Sequence, residues 1–409
     1  MPIIKLLAIL TFAYWIFMLW DTLQARKRML SLPHAPPDAY PAASNSHQAR
    51  LNPTFSSQDF PLVSVVIAAK EEEASIAETV RHLLHQTYPR LEIIAVNDRS
   101  QDGTGRKLEE LRKWSEGKES IRIPLQIIHV TTLPAGWLGK NHALYQGYLQ
   151  ARGQYVLFTD ADVLFRPDTI ADAVHYMKAN DVDHLTLAPD MIVKGFWLKA
   201  FVRYFFFTLS LYIRPWRSNI DSQHKHGMGI GAFNLLTRQA YEAIGTHRAF
   251  ALRPDDDLVL GKRVKQARLR QRLASGREHI AVEWYKSLGE AIRGLEKNLF
   301  SGFHYKLGLA FLGVVGQLAL FLFPFLALFL AGGWASWLFG ASILVMLFVY
   351  FRLVHSLTGS VGSEVLVFPL TVGLLSYIVI RSVWLTLRQD GIHWRGTYYS
   401  LDELKKMRR

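Results

Sequence analysis

Asp160-Ala161-Asp162 closes the apolar run Tyr155-Val156-Leu157-Phe158-Thr159. Two carboxylates one residue apart, just past a buried-type strand, suit a hard divalent cation such as Mg²⁺ or Mn²⁺. Such ions take oxygen ligands and share them between carboxylates and substrate phosphates. Alone the triplet is weak, because Asp-x-Asp also shapes turns and helix caps. Other polar clusters add weight. Val96-Asn97-Asp98-Arg99-Ser100-Gln101-Asp102-Gly103 follows a second apolar run, where Asp98 could accept hydrogen bonds from a base or ribose and Asp102-Gly103 shapes a turn. Gly136-Trp137-Leu138-Gly139-Lys140 leads into a helical pattern, so Lys140 near a helix start could meet a phosphate. Arg253-Pro254-Asp255-Asp256-Asp257 opens another helix. Acidic residues there are ordinary caps. Three in a row, with Gly227-Met228-Gly229-Ile230-Gly231 upstream, are less ordinary, since crowded carboxylates raise one another's proton affinity and suit a general base.

These residues need a frame. Val63–Ile67, Leu91–Val96, Ile127–Val130 and Tyr155–Thr159 read as strands, with helical patterns at Ala74–His85 and Ala143–Gln150 between them. Strands alternating with helices imply βαβ units and a mostly parallel sheet. Ligands bind such sheets beyond the carboxyl ends of the strands. That places Lys70, Glu71, Glu72, Asn97, Asp98, Asp160 and Asp162 as site candidates.

The chain has 409 residues, half of them hydrophobic, and the apolar residues are unevenly spread. Met1–Trp20 and most of Gly308–Leu387 carry almost no charge, as membrane-spanning segments require. The charged stretch after Trp20 and the absence of a small-residue cleavage pattern favour an uncleaved anchor over a signal peptide. Lys and Arg outnumber Asp and Glu by 47 to 34, with clusters at Arg26-Lys27-Arg28 and in the final residues. Juxtamembrane basic clusters favour the cytoplasmic side. No basic stripe with interleaved aromatics crosses the soluble region, so nucleic acid is not an expected partner. With no cysteine, disulfides, thiolate metal sites and a cysteine nucleophile are excluded.

The expected organisation is a transmembrane anchor at 1–25, a Pro- and Ser-rich linker at 26–60, an α/β domain at 61–305, apolar segments at 306–388 and a basic tail at 389–409. Three closing crossings would place the tail opposite the α/β domain. Pro324 and the Ala331-Gly332-Gly333 break mark the first segment as a re-entrant candidate. Phe196–Trp216, with nine aromatics among basic residues, fits either an interfacial helix or a buried core helix. Arg352, His355, Glu364 and Arg381 would be transport-type intramembrane charges, but they fall near segment ends, where they can snorkel. His224-Lys225-His226, without a third ligand, reads as solvated loop.

The order Asp98, Asp160-x-Asp162, Asp256-Asp257-x-x-Leu260 resembles inverting family 2 glycosyltransferases with a GT-A (Rossmann-like) fold. Gly136-Trp-Leu-Gly-Lys-Asn-His-Ala-Leu144 is similar to membrane enzymes that glycosylate carotenoids, hopanoids and ceramide. Ala240–Gly245 and Gly391–Gly396 extend the likeness, which covers Val63 to Tyr398. The resemblance implies that Asp98 binds the nucleoside side of a nucleotide-sugar donor with Glu72 and Lys140. It implies that Asp160 and Asp162 position the metal diphosphate. It further implies that Asp257 takes the proton of a lipid hydroxyl, with Asp256 beside it. Polysaccharide-extending relatives carry Gln-x-x-Arg-Trp after the base. Glu283-Trp284-Tyr285-Lys286-Ser287 stands there instead, with Arg293 and Lys297 as substitutes for the missing arginine. A single transfer is therefore expected over a processive synthase, and either over a transporter with a nucleotide-binding domain. The expected location is the cell membrane, multi-pass, with the α/β domain cytoplasmic.

Overall fold

The computed structural model describes residues 2–26, 28–36, 60–119, 121–297, 299–394 and 397–406. Most of the expected linker lies outside the described residues, as do Lys27, Asn298, Arg395, Gly396, Arg408 and Arg409. The chain divides into two compact units. One comprises Met29–Met191 and Pro215–Glu283; the other comprises Met1–Arg28, Ile192–Arg214 and Trp284–Arg409.

The first unit is built on one nine-stranded sheet. Its strands are β1 (Leu30–Ser31), β2 (Val63–Ala69), β3 (Leu91–Asp98), β4 (Leu125–Val130), β5 (Tyr155–Asp160), β6 (Val163–Phe165), β7 (His184–Met191), β8 (Asn234–Thr237) and β9 (Gln271–Val282). Their order is β1-β9-β7-β8-β5-β2-β3-β4, with β6 paired to β9. The pairs β2–β3, β2–β5, β3–β4, β7–β9 and β1–β9 are parallel, while β8 runs antiparallel to both β5 and β7. The mostly parallel α/β architecture expected from the sequence is present.

Strands β2 and β3 are buried along their whole length, as aliphatic strands covered on both faces must be. The helix Ile76–Leu84 buries Ile76, Val80, Leu83 and Leu84. The helix Gly139–Gln150 packs Ala143, Leu144 and Tyr148 with Val66, Val96 and Phe158. Its Gly147 lies so close to the sheet that a Cβ there would sit 2.4 Å from Val66 Cγ1, so only glycine allows this approach. Register then aligns the strand ends: Ala68 pairs with Asp160, and Ala69 with Asn97. The polar residues following β2, β3 and β5 thus open on one edge.

The second unit is helical. It contains five helices, among the described residues, long and apolar enough to cross a membrane: Pro2–Gln24, Phe196–Ile213, Leu307–Leu330, Gly333–Thr358 and Ser363–Arg388. The chain is membrane-associated on this composition. The Leu307–Leu330 segment accommodates Pro324 without breaking, because a π-helical turn at Leu318–Leu322 precedes it; a wider turn relieves the clash and missing donor that proline brings. The Phe196–Ile213 helix is a packed member of this unit, burying Phe201, Tyr204 and Phe207. Phe207 lies against Trp15, Phe321, Tyr350 and Phe368. Glu364 does not snorkel as the sequence suggested. It is buried and paired with Arg203, which also donates to Ser360 Oγ at 2.9 Å.

Candidate active site

Asp160 ends β5, and Asp162 follows two residues later. The helix Asp256–Gln266 begins at Asp256 and Asp257. Lys140, in the first turn of the Gly139–Gln150 helix, reaches between them: its Nζ is 2.7 Å from Asp160 Oδ1 and 3.7 Å from Asp256 Oδ2. Lys140, Asp160 and Asp256 line one cavity together with Asp257, Gly231 and His247. Residues spread over more than a hundred positions are thereby gathered on a single ammonium.

Burial alone would depress the Lys140 pKa, but Asp160, Asp256 and Asp257 outweigh it and hold the lysine well above its ordinary range. The carboxylates show the converse. Burial pushes Asp162 up to about 7, with the charges of Asp160 and Glu72 adding to the rise. Burial likewise pushes Asp256 up to about 7, partly offset by Lys140. Asp257 is also raised by burial, and the Lys140 ammonium and two backbone donors pull against that rise. Those donors are Gly231 N, 2.9 Å from Oδ2, and Leu258 N, 2.7 Å from Oδ1. They fix the orientation of the Asp257 carboxylate.

Asp98 sits at the end of β3, almost fully buried, and Arg99 grips it through Nε at 2.7 Å and Nη2 at 3.0 Å. Arg99 adopts φ +54, a left-handed conformation uncommon outside glycine, which turns the guanidinium back onto its neighbour. A Cβ on Gly139 would meet Asp98 Oδ2 at 2.4 Å, so the start of the Lys140 helix abuts this pair. Glu72 accepts from Ser75 Oγ at 2.9 Å and is coupled to Asp162 through its charge. Lys140, Asp160, Asp256 and Asp257 are thus brought into one cluster. Asp162 and Glu72 flank it, and Asp98 ends β3, two strands from β5 in the sheet.

Asn141 went unassigned in the sequence although it lies inside the Gly136–Leu144 motif. Its Nδ2 donates to the carbonyls of Phe250, Ala251 and Arg253 at 2.9 to 3.1 Å, tying the Lys140 helix to the segment preceding Asp256. His247 gave no local signal. Its ring lies against Phe158 and Phe250, and its Nδ1 is 2.5 Å from Tyr241 Oη. His224 and Lys225 are exposed, consistent with a solvated loop. A different cluster appears instead: His34, Asp172 and His279 offer ligand atoms within 4.8 Å of one another. They are joined by hydrogen bonds, with His34 Nδ1 and His279 Nε2 each 2.9 Å from Asp172 Oδ2.

The residues at Asp160 and Asp162 fit a hard divalent cation. Both offer oxygen donors, and such an ion would offset both the burial that chiefly lifts Asp162 and the neighbouring charges of Asp160 and Glu72 that add to it.

The mostly parallel α/β sheet, with Asp98 and Asp160 at the ends of β3 and β5, is a GT-A-like fold. Residues 64–245 match the model for Glycosyl transferase family 2, and with the relatives that follow this makes the chain a hexosyltransferase. It is 24% identical over 351 residues to 4,4'-diaponeurosporenoate glycosyltransferase of Staphylococcus aureus (strain bovine RF122 / ET3-1), covering 83% of this chain and 89% of that protein. The enzyme of the same name from strain USA300 has the same identity and coverage. Among solved structures, the mannosyltransferase PcManGT from Pyrobaculum calidifontis, in complex with GDP-Man and Mn2+, aligns with a TM-score of 0.50 at 18% identity. That alignment covers 94% of this chain and 99% of PcManGT, a likeness of fold.

Proposed function

We propose that this chain is an inverting, non-processive glycosyltransferase that moves one sugar from a nucleotide-diphosphate donor to a lipid hydroxyl at the membrane surface. The observation that carries this reading is the Asp257 carboxylate, oriented by two backbone amides in a cavity that it shares with Lys140 and Asp160. Asp257 removes the proton of the acceptor hydroxyl, whose oxygen attacks the anomeric carbon. The bond from that carbon to the diphosphate oxygen breaks with inversion. Asp256 sustains the local field, and Lys140 meets the negative charge that gathers on the diphosphate. Asp98, with Glu72, receives the nucleoside. Asp160 and Asp162 would hold Mg²⁺ or Mn²⁺; when bound, the ion neutralises the departing diphosphate.

The lipid acceptor is supported by the five apolar helices and by relatives named for a carotenoid substrate. A single transfer is favoured over processive extension by the lack of Gln-x-x-Arg-Trp after Asp257. The domain boundaries at 25, 60, 305 and 388, a multi-pass topology and a cytoplasmic α/β domain belong to the same proposal. Its test is turnover of purified Asp257→Asn and Asp162→Ala proteins with Mn²⁺ and a nucleotide sugar. Each is expected to lose about 10²- to 10⁴-fold in kcat. Wild-type rates from both would sink the mechanism. Lipid extracts from cells with and without the chain, compared by mass spectrometry, identify the acceptor; no new glycosyl lipid would argue against this acceptor class.

A further inference from the structure

His184, Asn234 and Gln271 are buried polar side chains on the neighbouring strands β7, β8 and β9. Buried polar groups of this kind must satisfy one another or cost stability. Here they form a directed chain. Gln271 Oε1 accepts from Met228 N at 3.1 Å, which leaves Gln271 Nε2 to donate to His184 Nδ1 at 2.7 Å. His184 therefore carries its proton on Nε2, which donates to Asn234 Oδ1 at 3.1 Å. Asn234 Nδ2 in turn donates to Ile230 O at 2.7 Å. Ile230 N donates to Thr186 Oγ1 at 3.0 Å. Burial holds His184 neutral by pushing its pKa down to about 4, so this direction does not reverse near neutral pH.

The chain ends on Gly227-Met228-Gly229-Ile230-Gly231, whose amides meet side chains where a strand would supply backbone. The loop runs where no side chain fits. A Cβ on Gly229 would lie 2.3 Å from Asp257 O, and one on Gly231 would lie 2.5 Å from Asp160 Oδ2. Gly231 N then donates to Asp257 Oδ2.

We propose that His184 is a positioning residue for the glycosyl transfer: through Asn234 and Gln271 it holds the 227–231 loop so that the Gly231 amide orients the Asp257 carboxylate. The role depends on the reading of Asp257 as the base, and acts at a distance from the reacting atoms. A misaligned base costs turnover far more than it costs donor affinity.

Two readouts on the full chain in detergent test this. Amide hydrogen exchange across residues 228–231 is expected to quicken by roughly 10-fold or more in His184→Leu and to stay near wild type in His184→Gln, which keeps a donor and an acceptor. Nucleoside diphosphate release is measured with Mn²⁺ and whichever of UDP-glucose and GDP-mannose the wild type turns over. His184→Leu is expected to lose about 10- to 100-fold in kcat with the donor KM within about twofold, and His184→Gln to recover most of it. Thr186→Val removes one of the two acceptors of Ile230 N, together with the Thr186 donation to Phe233 O, and leaves the His184 links in place; it should show the same split at smaller size, which keeps the test available if His184→Leu does not fold. Unchanged exchange in folded His184→Leu or Thr186→Val overturns the proposal, as does unchanged kcat while Asp257→Asn is inactive. An active Asp257→Asn would instead remove the base reading, leaving the exchange result to judge the loop.

Discussion

Buried charge is handled differently in the helical unit and in the Lys140 cluster of the α/β unit. In the helical unit it is matched pair by pair: Arg203 with Glu364, and Arg214 with Asp21 at 3.5 Å. In the α/β unit, Asp160, Asp162, Asp256 and Asp257 draw on the same ammonium, that of Lys140. Matched pairs hold a structure together. A surplus of buried negative charge raises carboxylate pKa values and costs stability, and it persists where an incoming cation or a proton in transit discharges it. The contrast therefore marks the Lys140 cluster as the part of the α/β unit on which the proposed chemistry depends.

The largest expected effect comes from removing the shared cation. Lys140→Met leaves the four carboxylates without that compensation. Turnover with Mn²⁺ should fall by about 10²-fold or more, since a positioned cation at the diphosphate is lost. Activity close to wild type would show that Lys140 serves packing alone and would erase the distinction between the units.

The next effect is on stability against pH. Asp162 and Asp256 have folded-state pKa values of about 7, above the ordinary 3.8. Between these values the folded chain binds more protons than the unfolded chain, so stability falls as pH rises from about 4 to 7. Each tenfold difference in proton affinity between folded and unfolded chain corresponds to about 1.4 kcal/mol per group, an upper figure for carboxylates that interact. Without divalent ions, the melting temperature should drop from pH 5 to pH 7.5, and Asp162→Asn should flatten that slope. Mn²⁺ should raise the melting temperature more at pH 7.5 than at pH 5. A slope of the opposite sign would mean the surplus charge is already compensated.

Much of the site was legible because it sits where aliphatic runs end. Val63–Ile67, Leu91–Val96 and Tyr155–Thr159 announce buried parallel strands, and Asp98 and Asp160 stand at their carboxyl ends. The helix at Asp256 announced itself through its acidic start. The strands β7, β8 and β9 were not legible. His184, Thr186, Asn234 and Gln271 interrupt their apolar pattern, because these strands bury a polar network. Contacts between distant positions, such as His34 with Asp172 and His279, have no local signature. The Phe196–Ile213 helix shows a different limit. Its aromatics fit a membrane interface and a packed core equally well, and only its neighbours Trp15, Phe321 and Phe368 decide.

The smallest expected effect on turnover is the sharpest test of the comparison. If Arg203 and Glu364 are purely structural, removing one partner leaves a buried charge alone, which costs about 3 to 5 kcal/mol. Arg203→Leu and Glu364→Leu should each unfold at markedly lower denaturant. The double variant, which removes both charges and fills the space with apolar side chains, should return to within about 1 to 2 kcal/mol of wild type. In each folded variant the kcat per folded molecule should stay within about twofold, because neither residue touches the reacting groups. A double variant that is stable but inactive would show that this matched pair also works in the reaction. Pairing would then no longer separate the charges that build the molecule from those that perform its chemistry.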